Sequence, residues 1–272
     1  MSYFMMYEGI HHKSIIGTGR KCQTEFITFM LYIMHWSPTI LYEDNHYVAI
    51  SKPAALLVQP EAEEENAVIP LMQAFIGKRD RKPGKAFIGV VHRLDKSVSG
   101  VLILAKTSKG QERFNELLKN KQVKKYYLAI TERCTVQGSG SLEHFMSRQA
   151  DAYRMNVSGH RRSSSDQEAI LKYEVLSVID DYQLWAIELV TGRRHQIRAQ
   201  LAHIGAPIVG DKKYGSKVSS DQIMLHCTNM QFEHPIKKTK VIVSDLPRMP
   251  HNFWQPFKSQ IIDWDKFIKS KK

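Results

Sequence analysis

One run constrains the fold more than any other part of the chain. Gly100-Val101-Leu102-Ile103-Leu104-Ala105 carries no polar side chain. A continuous apolar stretch this short, bounded by polar residues, reads as a buried strand rather than a helix. Other strand-like runs surround it. Thr39 to Tyr42 and His46 to Ser51 flank Glu43-Asp44-Asn45 as a predicted hairpin. Lys52-Pro53 ends that hairpin, because proline cannot continue a ladder. Val123 to Thr131, Ala169 to Val178, Tyr182 to Val190, Ile223 to Cys227 and Val241 to Val243 follow, with a turn at Gly138 to Ser141.

Helical signals are fewer. Pro70 to Ile76 has proline in its first turn. Thr107 can cap a helix whose Phe114, Leu117 and Leu118 lie three and four apart. His195 to Ile204 places Ile197, Leu201 and Ile204 on one face. Many strands with a few interspersed helices predict an α+β fold with a mixed, mostly antiparallel sheet.

The 272 residues suffice for one large or two small domains. Residues 1–33 are rich in Met, Tyr and His, without a sustained period. They read as an extension, either a disordered arm or the product of an upstream start. A structured domain is expected over 34–258, followed by a basic C-terminal tail, 259–272, that frays from Lys266. The apolar stretch Phe26 to Met34 is far shorter than the ~20 residues needed to span a bilayer. It follows Arg20-Lys21 and precedes His-Trp-Ser-Pro rather than a small-residue cleavage site. Three scattered cysteines without C-x-x-C argue against a disulfide framework or a zinc knuckle and fit a reducing compartment. A cytoplasmic protein with no membrane association, monomeric by default, is expected.

Lys+Arg 39 against Asp+Glu 27 leaves +12. That balance favours a polyanionic partner, nucleic acid before an anionic membrane, with solubility alone as the bland alternative. The loops at 78–85, with Arg81 and Lys82, and at Arg148 to Arg162, with Arg154 and Arg161, are the candidate basic contacts.

Three segments carry candidate chemistry. In Val91-His92-Arg93-Leu94-Asp95-Lys96, a loop carboxylate sits between bases at a strand entrance, an environment that favours its charged form. A surface ion pair with Arg93 or Lys96 is the plain alternative. In Lys124-Lys125-Tyr126-Tyr127, alternation sends the two tyrosines to opposite faces, one to the core and one to a cleft. In Thr191-Gly192-Arg193-Arg194-His195-Gln196-Ile197-Arg198, Arg194 and Arg198 are four apart and would share a helix face, forming a phosphate-attracting end. A solvated basic face is the competing reading. No G-x-x-x-x-G-K-[ST] or G-x-G-x-x-G is present, which weighs against a nucleotide-dependent enzyme.

Together these segments resemble the RluA-type pseudouridine synthases. H-R-L-D with its Ser-Gly and buried strand is present, as are K-x-Y-x-A, T-G-R-x-H-Q-I-R and I-x-G-D-x-x-Y-G. Leu225-His226 and His234-Pro235 match later elements, with Cys227 where alanine is usual. The resemblance runs from about Thr39 to Val243.

It implies a pseudouridine synthase fold, with helices flanking the sheet around a basic cleft. It also implies isomerisation of uridine in rRNA or tRNA, with no cofactor and no metal. Asp95 would act at the ribose, as nucleophile or base. Tyr127 would stack on the uracil and help remove the final ring proton. Arg198 would pair with Asp95. Arg93 would fill the gap left by the flipped uridine, with His92, Arg193, Arg194 and Lys125 also contacting RNA. Many relatives carry a small N-terminal RNA-binding domain, and about 38 residues before the first synthase-like strand are too few for it. A non-catalytic RNA-binding protein of the same fold is the alternative.

Overall fold

The apolar run forms an inner strand of the sheet, β4 (Ser99–Ala105), in which Val101 to Ala105 are fully buried. A computed structural model describes residues 36–61, 66–81, 83–148, 154–249 and 251–270. The predicted extension 1–33, Lys82 and the acidic residues Glu63 to Glu65 lie outside the described residues.

The predicted hairpin is β1 (Ile40–Glu43) and β2 (Tyr47–Lys52), paired antiparallel. Its turn is held by Asp44, whose Oδ1 accepts from the backbone N–H groups of His46 and Tyr47 at 2.8 Å each. Short polar side chains that bond their own backbone are what such turns require. Strand β2 then pairs antiparallel with β4, as does the two-residue β3 (Gly89–Val90).

The second half of the sheet contains β5 (Lys124–Glu132), β6 (Ser139–Arg148), β7 (Met155–Ser158), β8 (Gln167–Ile179), β9 (Tyr182–Leu189), β10 (Leu225–Glu233) and β11 (Lys240–Ser244). The order across the described sheet is β1-β2-β4-β10-β5-β9-β8-β6-β7, with β11 added to β10 and β3 to β4. Among the described strands, every pairing is antiparallel except β4 with β10. That parallel joint, Ser99 beside His226 and Gly100 beside Cys227, joins the two halves.

Four helices are described: α1 (Val68–Arg79), α2 (Ser108–Lys119), α3 (Gln196–His203) and α4 (Lys258–Ser270). Thr107 caps α2 as expected, its Oγ1 accepting from Gly110 N at 3.0 Å. None of the described helices is long and apolar enough to cross a membrane.

Three expectations fail. Residues 259–270 are not a fraying tail but most of the helix α4. Ile261, Trp264 and Ile268 are buried on α4, and Trp264 meets Tyr126 edge-on at 6.0 Å between ring centroids. The compact unit that holds the site starts at Ser37 and includes α4. Only Gly138, at φ +68°, belongs to the predicted turn at Gly138 to Ser141. Ser139 to Ser141 already run as β6, where Gly140 leaves room for the Tyr173 ring: a Cβ there would meet its hydroxyl at 2.8 Å. Finally, α3 begins at Gln196, so Arg194 precedes the helix and shares no face with Arg198.

Candidate active site

Asp95 sits in the loop between β3 and β4. Leu94 and Val98 anchor that loop in the core, and Val98 N–H closes a turn on Asp95 O at 3.0 Å. The carboxylate, 27% exposed, accepts from Arg198 Nη1 at 2.8 Å. Arg198 turns its other edge to Asp211, donating from Nε at 2.7 Å and Nη2 at 2.9 Å. Asp211 is buried, and the guanidinium also lies 5.1 Å over the Tyr214 ring. Arg198 is therefore a buried strut between two carboxylates rather than part of an exposed phosphate-binding helix end.

A fixed fork of this kind presents one N–H to Asp95 in a single geometry. Asp211→Ala should leave the guanidinium buried with half its partners gone, at a cost of about 3 kcal/mol. Urea unfolding would measure it, and a change below about 1 kcal/mol, the range of exposed pairs, would contradict the strut.

The turn leading into α3 is built by side chains. Thr191 Oγ1 donates to Gln196 Oε1 at 2.8 Å, and Arg193 N–H donates to the same oxygen at 2.9 Å. His195 consequently takes a left-handed conformation, φ +52°. Its Nδ1 lies 2.9 Å from the Tyr214 hydroxyl and its Nε2 3.7 Å from Asp95 Oδ2. The Tyr214 hydroxyl also accepts from Met155 N–H at 3.1 Å, which ties His195 to the strand β7. Burial pushes the His195 pKa down against the pull of Asp95, so the imidazole is neutral near pH 7.

Tyr126 faces α4, and Tyr127, on the opposite side of β5, lines the cleft. Tyr127 is paired across the sheet with Cys227 and hydrogen-bonded to its thiol. Burial raises the Tyr127 pKa well above 10 and the Cys227 pKa to about 12, so both keep their protons. Burial also lowers the pKa of Lys125, close to Cys227.

Lys52, in the sequence only a strand end, is fully buried. It donates to the carbonyls of Pro53, Leu56 and Lys96 at 2.7, 2.8 and 3.3 Å. Its pKa falls to about 7 through burial, with the Asp95 charge acting to raise it. It ties the end of the hairpin to the Asp95 loop.

Asp95, Lys125, Tyr127, His195 and Arg198 face a cleft of about 1470 Å³. Of the residues predicted to contact RNA, His92, Arg93, Lys125, Arg193 and Arg194 line it, together with Arg148 and Lys213. Arg81 is exposed beyond α1 and is not among the lining residues, and Lys82 lies outside the described residues. His92 adds no charge. Its Nε2 accepts from Ile103 N–H at 3.0 Å, and burial drops its pKa to about 3. Arg193 spends Nε on Glu168 O at 2.8 Å, and Arg161 stacks over Phe145 at 5.2 Å.

His226 resembles His92. It lies 2.8 Å from Ser99 Oγ at the parallel joint, and burial takes its pKa to about 3. Both histidines fold as neutral imidazoles below their ordinary 6.5. Their stabilisation is complete above about 6.5 and is lost as pH falls towards 3, because the unfolded chain binds the protons first. Between pH 6.5 and 5.5 the loss should reach roughly 2 kcal/mol, about 1 kcal/mol for each group, because the unfolded imidazoles are still only half protonated at pH 6.5. Urea titrations at the two pH values check this, and equal midpoints would contradict it.

Comparison with known proteins places the geometry. The human protein RNA pseudouridylate synthase domain containing 4 has the same fold, with TM-score 0.69 at 22% identity, over 87% of this chain and 98% of its own. The RNA pseudouridylate synthase family matches residues 46–203. Ribosomal large subunit pseudouridine synthase D of Xylella fastidiosa is 34% identical over 76% of this chain and 66% of its own length. The tRNA pseudouridine synthase C of Yersinia pestis is 30% identical over 72% of this chain and 81% of its own. The chain thus belongs to the RNA pseudouridine synthase family of isomerases, and it spans about two thirds of the length of its ribosomal-subunit relatives.

Proposed function

We propose that this chain isomerises uridine to pseudouridine within rRNA or tRNA, with Asp95 acting at the ribose. The observation that carries the reading is the Asp95 carboxylate, open to the cleft and held by Arg198 at 2.8 Å opposite Tyr127. The C1′–N1 bond breaks, the uracil turns, and a C1′–C5 bond forms. N1 gains a proton as C5 loses one, so atoms balance without a cofactor. Whether Asp95 attacks C1′ or takes a proton from the ribose, it needs its negative charge, and Arg198 supplies the counter-charge.

Tyr127 stacks on the uracil. Its protonated hydroxyl offers a hydrogen bond to the ring, and burial opposes the phenolate that direct base catalysis needs.

Arg93, exposed at the cleft wall two residues before Asp95, enters the stack as the uridine leaves. Arg93→Ala should slow conversion of a stacked uridine more than that of an unpaired one. Equal losses on both RNAs, in single-turnover assays at saturating enzyme, would reduce Arg93 to an electrostatic contact.

The test of the activity is pseudouridine mapping of rRNA and tRNA incubated with the purified protein. New pseudouridines at defined positions are expected, and their absence from both RNAs would reject the reading.

A further inference from the structure

We propose that a groove beside the catalytic cleft, with Phe87 as its floor, receives one unpaired nucleobase of the RNA next to the target uridine. The proposal rests on the RNA-modifying reading above and adds a subsite to it.

The groove holds about 530 Å³ and is walled by Phe87, Gly89, Gln111, Gln59 and Arg93. Phe87 is 46% exposed, one of four large apolar side chains open to solvent among the described residues. Its ring has a prepared bed. A Cβ on Gly89 would sit 3.1 Å from the ring edge, Cε1, and 2.6 Å from Gln111 Oε1. Glycine at 89 therefore lets both groups lie against the strand. Gln111 is fixed in turn, its Nε2 donating to Val90 O at 3.0 Å. The ring is thus supported where it meets β3 and accessible to solvent elsewhere.

The groove is continuous with the catalytic cleft: Gln59, Val91, His92 and Arg93 line both. Whatever occupies the groove lies beside the RNA path. A nucleobase fits this chemistry because it offers a π face to the ring and a hydrogen-bonding edge to an amide such as Gln59, with Arg93 beside it. Stacking on an aromatic tolerates any base and is a recurrent way to hold unpaired nucleotides. An apolar protein partner would fit less well, since two glutamines and an arginine share the wall.

The experiment compares wild type, Phe87→Ala and Phe87→Tyr. The probes are bulk tRNA and a stem-loop set carrying the mapped uridine, each RNA with one abasic nucleotide near the target. Phe87→Ala should raise Kd about tenfold, equal to about 1.4 kcal/mol, while saturated single-turnover rates stay within about twofold because stacking on the groove contributes binding rather than chemistry. Phe87→Tyr, which keeps the ring, should restore binding. One abasic position should weaken wild type as much as Phe87→Ala does, and the two losses should not add.

An unchanged Kd for Phe87→Ala, additive losses at every abasic position, or a change in oligomeric state instead of RNA affinity would overturn the proposal. If wild type binds tRNA but converts no uridine, the isomerase reading falls and the tRNA Kd values alone decide the base site. If wild type binds no RNA, both fall.

Discussion

Asp95→Asn should bind RNA as tightly as wild type and form pseudouridine at least about 10²–10⁴-fold more slowly, the range typical for loss of a proton-transferring group. The amide keeps the size of the carboxylate and an oxygen for Arg198 Nη1, but it cannot attack a sugar carbon or accept a proton. The fold should tolerate the change. Arg198 keeps its two bonds to Asp211, and Asp95 is partly exposed, so the lost pair should cost less than about 1 kcal/mol. RNA affinity comes chiefly from phosphate contacts, which this substitution leaves in place. Single-turnover conversion, with Kd and melting temperature measured on the same preparation, separates the outcomes. Wild-type turnover by the folded variant would remove Asp95 from the chemistry, and a collapsed melting temperature would make it a structural carboxylate.

Much of this site is legible in the sequence because its parts are short, local and in order. A carboxylate ahead of an apolar strand, two tyrosines on alternating faces, and an arginine on the following helix can each be placed from strand and helix periods. What those periods cannot give is partnership across the fold. Asp211 binds Arg198 through a glycine-punctuated loop, and Tyr214 reaches both His195 and β7; no spacing encodes either contact. Lys52 looks like a strand end, although a lysine closing the apolar run Tyr47 to Ile50 signals a charge that must find buried acceptors.

The missed elements have local reasons. Strands β6 and β7 lie at the far edge of the sheet, where outward residues are polar and the apolar signal thins. Helix α4 was hidden by its lysines. Ile261, Trp264 and Ile268 are three and four apart, the spacing of one helical face, and Trp264 covers Tyr126 on the side of β5 away from the cleft.

Gly100→Ala should be the most damaging single change to the fold, costing more than about 4 kcal/mol, a size reserved for a named structural fault. Two faults coincide here. Gly100 has φ +113°, a conformation open to glycine and strained for any residue with a Cβ. A Cβ at this position would also lie 2.2 Å from Cys227 O and 2.6 Å from Cys227 N. Those are backbone atoms of a central strand, so no side-chain rotation relieves the overlap. Relief requires β4 and β10 to separate at the parallel joint that joins the two half-sheets. The Asp95 loop leads directly into β4, and Cys227 pairs with Tyr127 across β10 and β5, so separation would also move Asp95 away from Tyr127. Loss of activity and of stability should therefore appear together, unlike the Asp95→Asn result. Denaturant unfolding and single-turnover conversion on the same variant check this. A folded Gly100→Ala protein with wild-type turnover would mean that the joint can shift without moving the site.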